Sequence, residues 1–283
     1  MNLECGFVRK EWLLSNPEKD YSTLVKFIED NDDALTTDRY VPVFRKRTAM
    51  TSIFLSNTLE GTLPQGSTAS DTYNILEKMY ESSSIPVEQW DVDGDKPSRT
   101  QMSHHLRALQ FLTKPEILKR DITVVDILEV HRIMMENSNG LRDNGFRTHS
   151  VYAEHHVYPE GDKEKLEKGC VSILSKYNAA VREKCCLIAS VTNLFYDMIT
   201  LHPFSDGNGR LCRLLVSYAL MRGGFPFYVT LSSYHRKSRN HYMMAILEGR
   251  RNPGNLSHLR TLVLKSALYT MYNYIENKRI CEY

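Results

Sequence analysis

The amino-acid sequence predicts an all-α protein with one small β-hairpin. Apolar residues recur at helical spacing through most of the chain, and this periodicity is the main signal for helices. The predicted helices cover residues 43–60, 70–82, 99–113, 123–136, 163–178, 184–200, 208–222 and 256–278, and a further helix contains Arg239, Tyr242 and Ala245. Residues 140–160 differ, because Gly and Pro flank the run Thr148–Tyr152, where a short hairpin is expected.

The composition is that of an ordinary globular protein. Of 283 residues, 42% are hydrophobic and 25% are charged, so the chain can bury a sizeable core. The formal net charge of +2 gives no electrostatic reason to expect nucleic acid or a membrane as a partner. No apolar run reaches the length of a membrane span, and the N-terminus lacks the apolar segment of a secretory signal.

The cysteines favour a reducing compartment. None of the six has the spacing of a metal ligand set, so we expect reduced thiols and a cytoplasmic protein. They are Cys5, Cys170, Cys185, Cys186, Cys212 and Cys281.

A polar loop between two apolar segments carries the strongest chemical signal. Residues 201–213 read LHPFSDGNGRLCR. Gly207 and Gly209 let the backbone bend so that its N–H groups converge on an anion. The next helix begins near Asn208, and its unpaired N–H groups and positive dipole end face the same place. These features predict a phosphate site.

The other polar residues of this loop extend the site to a magnesium nucleotide. Arg210 and Arg213 are three residues apart, on one helix face, and can bind phosphate oxygens. Asp206 is a hard oxygen ligand suited to Mg²⁺ that bridges phosphates. His202 remains free to act as a general base. Each of these residues alone is more often structural, but their combination favours function.

The same loop resembles the signature of the Fic family, HPFx(D/E)GNGRxxR, and matches every specified position from His202 to Arg213. Fic domains are helical enzymes, most of which transfer AMP from ATP to a hydroxyl side chain of a target protein. The resemblance implies that His202 is the base, Asp206 binds Mg²⁺, and Arg210 and Arg213 bind the leaving pyrophosphate.

A second resemblance concerns regulation. Ser56, Glu60 and Gly61 match the Fic inhibitory pattern (S/T)xxxE(G/N). From the residues alone, Ser56 and Glu60 are an exposed pair one helical turn apart near a helix end. The resemblance implies instead that Glu60 captures Arg213 and misaligns the nucleotide phosphates. The chain then belongs to the subclass with an N-terminal inhibitory helix.

The hairpin resembles the Fic flap, to which a target segment adds as an extra strand. The match covers residues 145–147 and 151–159. It implies that Val151, Tyr152, Ala153 and Glu154 contact the nucleotide and that a target protein docks on the flap. An ordinary surface hairpin is the alternative.

The C-terminal segments complete the prediction. Tyr242 fits a Tyr that contacts the nucleoside in Fic domains, whereas Arg250 stands where an Asn is frequent. Three tyrosines of the last helix, Tyr269, Tyr272 and Tyr274, are candidates for a homodimer contact. The predicted division is an N-terminal extension (1–42), an inhibitory helix (43–64), the Fic core (65–275) and a tail (276–283).

The sequence therefore predicts a protein adenylyltransferase that uses ATP and Mg²⁺ and is autoinhibited by Glu60. Three alternatives stay open. They are removal of AMP by using Glu60, transfer of another group such as UMP, GMP or phosphocholine, and a role as a binding module with weak catalysis.

Overall fold

The computed structural model describes residues 17–30, 38–63, 68–81, 96–136, 145–153, 156–231 and 236–281. Within these ranges it contains eleven helices and two strands. In chain order, the elements are α1 (Pro17–Asp30), α2 (Tyr40–Glu60), α3 (Ala69–Glu81), α4 (Lys96–Leu112), α5 (Pro115–Leu118), α6 (Val124–Met135), β1 (Val151–Ala153), β2 (His156–Tyr158), α7 (Lys163–Arg182), α8 (Leu187–Leu201), α9 (Asn208–Arg222), α10 (Arg236–Arg251) and α11 (Ser257–Cys281). The predicted all-α class with one small hairpin is confirmed.

Local side-chain contacts fix several helix ends. Thr123 and Asp126 form a capping box at the start of α6, each side chain accepting the other's backbone N–H. Asp162 caps α7 by accepting the N–H of Lys165. At the C-terminal end of α2, Gly61 adopts a left-handed conformation, and its N–H donates to the carbonyls of Asn57 and Thr58 in the last turn.

The core lies around α8 and α9. These two helices pack against each other, α7 covers α8, and α4 packs on α6. The largest fully buried side chains include Phe195, Phe204 and Tyr218. Burial of α8 and α9 fixes the short loop between them, which is the loop that the sequence singled out.

The hairpin begins later than predicted. Its strands are antiparallel, with Val151 opposite Tyr158 and Tyr152 opposite Val157. The expected strand residues from Thr148 onward are not paired, because the Arg147 N–H is bonded to the Pro203 carbonyl 3.0 Å away. The Arg147 side chain also holds the carbonyl of His149, so this stretch follows the loop between α8 and α9 instead of a strand.

Two predicted boundaries fall inside helices. α2 begins at Tyr40, before the expected start at residue 43, and α11 runs without a break past residue 275 to Cys281. Tyr274, one of the residues suggested for a dimer contact, is 3% exposed and packs against Phe44 and Phe227. It therefore belongs to the core, whereas Tyr272 is exposed.

None of the helices described here is both long enough and apolar enough to cross a membrane.

Candidate active site

His202 ends α8 in a strained backbone conformation. Its φ of 50° and ψ of 59° are left-handed, which costs a non-glycine residue roughly 1–2 kcal/mol. Arg147 stabilises this turn, because its Nε donates to the His202 carbonyl at 2.8 Å. Such outliers persist only where surrounding contacts hold them, and they cluster at functional sites.

The His202 imidazole is buried and neutral. Its side chain stacks on the Tyr158 ring with centroids 3.9 Å apart and an interplanar angle of 17°. Nδ1 lies 3.4 Å from the Ile199 carbonyl oxygen, which can only accept a hydrogen bond. Nδ1 therefore carries the hydrogen and Nε2 carries the lone pair. Burial lowers the pKa of His202 to about 4. The ring can therefore accept a proton at neutral pH.

The loop after His202 is held from within by side chains. Asn208 accepts from the Phe204 N–H at 3.0 Å and donates to the Phe204 carbonyl at 2.8 Å. The His131 ring stacks on Phe204, with centroids 3.7 Å apart, and its Nε2 lies 2.9 Å from the Asp206 carbonyl. The Asn208 side chain is thus engaged with the loop through both its oxygen and its nitrogen.

The glycine nest, residues Gly207–Gly209, opens α9. Gly207 has a φ of 81°, a region that favours glycine, and precedes the first helical residue. The nest and the first turn of α9 line a cavity together with His202. The N–H groups of a helix start have no acceptor within the helix, and here the Gly207 N–H donates to the Asp206 side chain. This arrangement is suited to an anion.

Asp206 lies at the edge of the nest. Its Oδ1 accepts from the Gly207 N–H at 2.6 Å and its Oδ2 from Arg210 Nη2 at 2.9 Å. The Asp206 side chain remains 55% exposed, while Arg210 is buried and does not line the cavity. Arg210 therefore orients Asp206 in this conformation.

The residues at Asp206 fit a magnesium ion that is brought by a nucleotide. Within the described ranges, no cluster of three or more His, Cys, Asp or Glu side chains could hold a metal ion. Mg²⁺ keeps several waters and is usually bound through one or two carboxylates plus substrate phosphates. A half-exposed carboxylate beside an anion nest meets that requirement.

Arg213 is paired with the last turns of α2. Its guanidinium is 6% exposed, Nε donates to Ser56 Oγ at 2.8 Å, and Nη2 forms an ion pair with Glu60 Oε1. The Tyr242 side chain also hydrogen-bonds Arg213. A Cβ built on Gly209 would lie 3.2 Å from Glu60 Oε1, so the Glu60 carboxylate lies against the glycine nest.

The cavity joins most of the predicted site residues. Those that line it are Glu60, Val151, Tyr152, Ala153, His202, Asp206, Gly207, Asn208, Gly209, Arg213 and Tyr242. Ser56 and Gly61 are not part of the cavity lining. Ser56 accepts a hydrogen bond from Arg213, and Gly61 ends α2. Glu154 lies outside the described residues.

Sequence reasoning gave no role to two residues that support the site. Arg147 binds the carbonyls of His202 and Pro159, and Tyr158 stacks on His202. Both lie in the ranges that carry the resemblance to the flap, which was the only signal for them. Arg250, noted before only as a departure from the family, lines the cavity and contacts Tyr158.

Comparison with known proteins shows which family the central part of the chain is similar to. A family model described as the Fic/DOC family matches residues 121–220. The chain is 34% identical over 144 residues to the protein adenylyltransferase Fic of Aedes aegypti, and 31% identical over 143 residues to that of Drosophila melanogaster. Each match covers 50% of this chain and 28% of the relative. The chain thus matches well under two thirds of the length of these curated relatives.

Solved structures share the fold. Fic-1 (residues 134–508) from C. elegans has a TM-score of 0.66 at 21% identity, over 90% of this chain and 71% of that one. A Fic family protein from Desulfovibrio desulfuricans has a TM-score of 0.69 at 16% identity, over 94% of this chain and 76% of that one. The family match is thus confined to residues 121–220, and the fold of the described chain is similar to that of solved Fic proteins.

Proposed function

We propose that this chain is a protein adenylyltransferase, which transfers AMP from ATP to a Ser, Thr or Tyr hydroxyl of a target protein. The observation that carries the proposal is the shared cavity of His202, the glycine nest and Arg213. It combines a proton acceptor, an anion site and a cation, which are the groups that phosphoryl-group transfer requires. The names of the relatives support the choice of AMP.

The reaction follows from the geometry. His202 Nε2 takes the proton of the target hydroxyl as its oxygen attacks the α-phosphorus of ATP. The new O–P bond replaces the bond between the α-phosphorus and the bridging oxygen, and pyrophosphate leaves. The N–H groups of the glycine nest stabilise charge on phosphate oxygens, and Arg213 binds the leaving group. Asp206 would hold Mg²⁺, which supplies positive charge at the phosphates.

Glu60 restrains this reaction in the proposal. Its carboxylate binds Arg213 and lies against the glycine nest, so it occupies both groups that the terminal phosphates need. Arg213 is buried, and a charge-assisted contact to a buried guanidinium is strong. ATP phosphates can align only when Glu60 moves away.

The flap supports docking of a target protein. Tyr152 and Val157 face each other across the two strands and are 67% and 61% exposed. An exposed apolar pair on a hairpin edge beside the cavity is suited to contact with a segment of another protein. We therefore place the target on this hairpin.

Label transfer from α-³²P-ATP with Mg²⁺ tests the proposal. We expect label on protein with Glu60→Gly and little label with the wild type. The double variant Glu60→Gly/His202→Ala should lose most of the gain, since a general base contributes ~10²–10⁴-fold.

Glu77→Gly is the matched control, because Glu77 pairs with Lys46 away from the cavity. Absence of label in Glu60→Gly that still binds ATP would contradict the proposal, and competition by GTP or UTP would point to another nucleotide.

Removal of AMP is a second candidate, because the Glu60 carboxylate lines the same cavity as His202 and can orient a water molecule. The labelled Glu60→Gly protein serves as substrate. If wild-type protein removes its label and the His202→Ala variant does not, the wild type is a hydrolase of the modified protein. If the label is stable with both the wild type and the His202→Ala variant, removal of AMP is excluded and transfer remains the proposed activity.

A further inference from the structure

Tyr158 connects the flap to the general base. It is the last residue of β2, is 5% exposed, and lies nearly parallel to the His202 ring at a centroid distance of 3.9 Å. Such a stack fixes the plane of the imidazole. It does not by itself decide which ring nitrogen carries the proton or which one faces the cavity.

The Tyr158 hydroxyl has a defined hydrogen-bond direction. Arg250 Nη2 donates to it, and the guanidinium carbon lies 5.4 Å from the Tyr158 ring centroid. Because a guanidinium only donates, the Tyr158 oxygen accepts from Arg250 and must send its own hydrogen elsewhere. The Ile199 carbonyl, 3.4 Å away, is the acceptor for that hydrogen.

The same carbonyl also receives the His202 ring. His202 Nδ1 lies 3.4 Å from the Ile199 oxygen, equal to the distance from the Tyr158 hydroxyl. A carbonyl oxygen has two lone pairs and can accept both hydrogens. The Ile199 carbonyl, in the last turn of α8, thus accepts hydrogen bonds from the Tyr158 hydroxyl and from His202 Nδ1. The hydrogen bond from Arg250 sets the direction in which the Tyr158 hydroxyl donates.

Arg250 differs from the two arginines at the start of α9. Arg210 pairs with Asp206 and Arg213 with Glu60, whereas Arg250 has no ion pair to a carboxylate within the described part of the chain. It reaches across the cavity from α10 to a residue 92 positions earlier. The Arg250 guanidinium is charged, yet its partner is the neutral Tyr158 hydroxyl and its Nε is buried without a hydrogen bond. Burying part of a charge in this way costs free energy, which favours a role beyond structure.

We propose that Tyr158 and Arg250 are positioning residues that hold the His202 ring with its hydrogen on Nδ1 and its lone pair on Nε2, facing the cavity. This inference rests on the proposed role of His202 as general base. Without Arg250, the Tyr158 hydroxyl can turn, its ring is free to shift, and the imidazole loses the support that fixes its orientation. The base then spends part of its time with the wrong nitrogen presented to the substrate.

Kinetics in the Glu60→Gly background test the proposal. We expect Arg250→Met and Tyr158→Phe each to lower kcat by about tenfold, a part of the ~10²–10⁴-fold contribution of a general base, with the KM for ATP within about twofold. Arg250→Lys should restore part of the loss, since it still donates to the hydroxyl. Arg251→Met is the control, because that neighbouring arginine is exposed and outside the cavity lining.

A second measurement is independent of activity. ¹⁵N NMR of histidine-labelled protein should report the Nδ1–H tautomer of His202 in the Glu60→Gly protein and a mixture of tautomers after Arg250→Met. An unchanged tautomer together with unchanged kcat would overturn the proposal. A raised KM with intact kcat would also overturn it and assign Arg250 to the nucleotide. If Glu60→Gly itself transfers no label, the proposed function fails, while the tautomer measurement still decides the role of Arg250.

Discussion

At the scale of single residues, Asn208 organises the site through its own loop. Its side chain is 3% exposed and binds both backbone groups of Phe204, as a peptide partner would. Those two bonds close the turn that directs His202 and the glycine nest to one cavity. In the proposed reaction, Asn208 therefore acts mainly by fixing the shape of the loop, although it lies in the middle of the proposed anion site.

We expect Asn208→Ala to lower both stability and label transfer. The variant leaves the buried N–H and carbonyl of Phe204 without partners, at about 1–3 kcal/mol for each unsatisfied group. Urea unfolding measures the first effect and label transfer in the Glu60→Gly background measures the second. Asn178→Ala is a matched control, because Asn178 bonds the N–H and carbonyl of Ile122 in the same way away from the cavity. Equal loss of transfer in both variants would show that only stability is affected.

The sequence predicted which groups of this loop come together, because these groups are close along the chain. It could not assign the Asn208 side chain, since an amide suits a phosphate and a backbone turn equally. It also placed Arg210 on phosphate because Arg210 and Arg213 share a helix face, whereas Asp206, one turn earlier, holds Arg210. Competition between partners is decided by the folded geometry, which spacing alone does not give.

At the scale of elements, the end of α2 delivers Glu60 to Arg213. Gly61 stops the helix with a φ of 67°, and a Cβ there would meet no atom within 4 Å. A side chain at this position therefore fits the space, and its cost is backbone strain alone, roughly 1–2 kcal/mol. The strain acts directly on the turn that carries Glu60.

We expect Gly61→Ala to raise label transfer above the wild type but below Glu60→Gly. A shift of 1–2 kcal/mol toward the released state of Glu60 corresponds to a factor of roughly 5–30. Gly61→Asn is the control, because Asn tolerates the left-handed conformation and should stay near the wild type. If Gly61→Ala transfers no more label than Gly61→Asn, the backbone conformation at the end of α2 does not control the proposed inhibition by Glu60.

The helices were easier to predict from sequence than the hairpin. Helical periodicity located α6, α8 and α9 to within a few residues, because their buried faces repeat along the chain. The strands of the hairpin are three residues each, too short to show a period. Their start depends on Arg147, whose contacts with Pro203 and His202 come from residues more than fifty positions away.

At the scale of the whole molecule, buried histidines make the fold sensitive to acid. His104, His105, His131 and His202 are all buried, and burial lowers the pKa of each below the ordinary value near 6.5. For His131 and His202 the pKa is about 4. Between these values, the unfolded chain binds protons that the folded protein does not.

We expect the free energy of unfolding to fall as the pH decreases from 6.5 to about 4. A shift of 2.5 pKa units corresponds to at most about 3 kcal/mol for each of His131 and His202. Urea unfolding at a series of pH values measures this loss. His202→Ala should make this dependence shallower than in the wild type, because one buried imidazole is removed. Identical slopes in the variant and the wild type would contradict the assignment.

The contact between Glu60 and Arg213 joins residues 153 positions apart on one chain. Its occupancy therefore does not depend on how much protein is present, because the carboxylate has a fixed effective concentration at the guanidinium. Dilution cannot open the contact, and a free acidic peptide would compete poorly with a group already held in place. Only a ligand, a partner or a modification that binds the open form more tightly than the closed one can shift this equilibrium. The concentration of that effector, and not of the protein, would set how much of the chain is open.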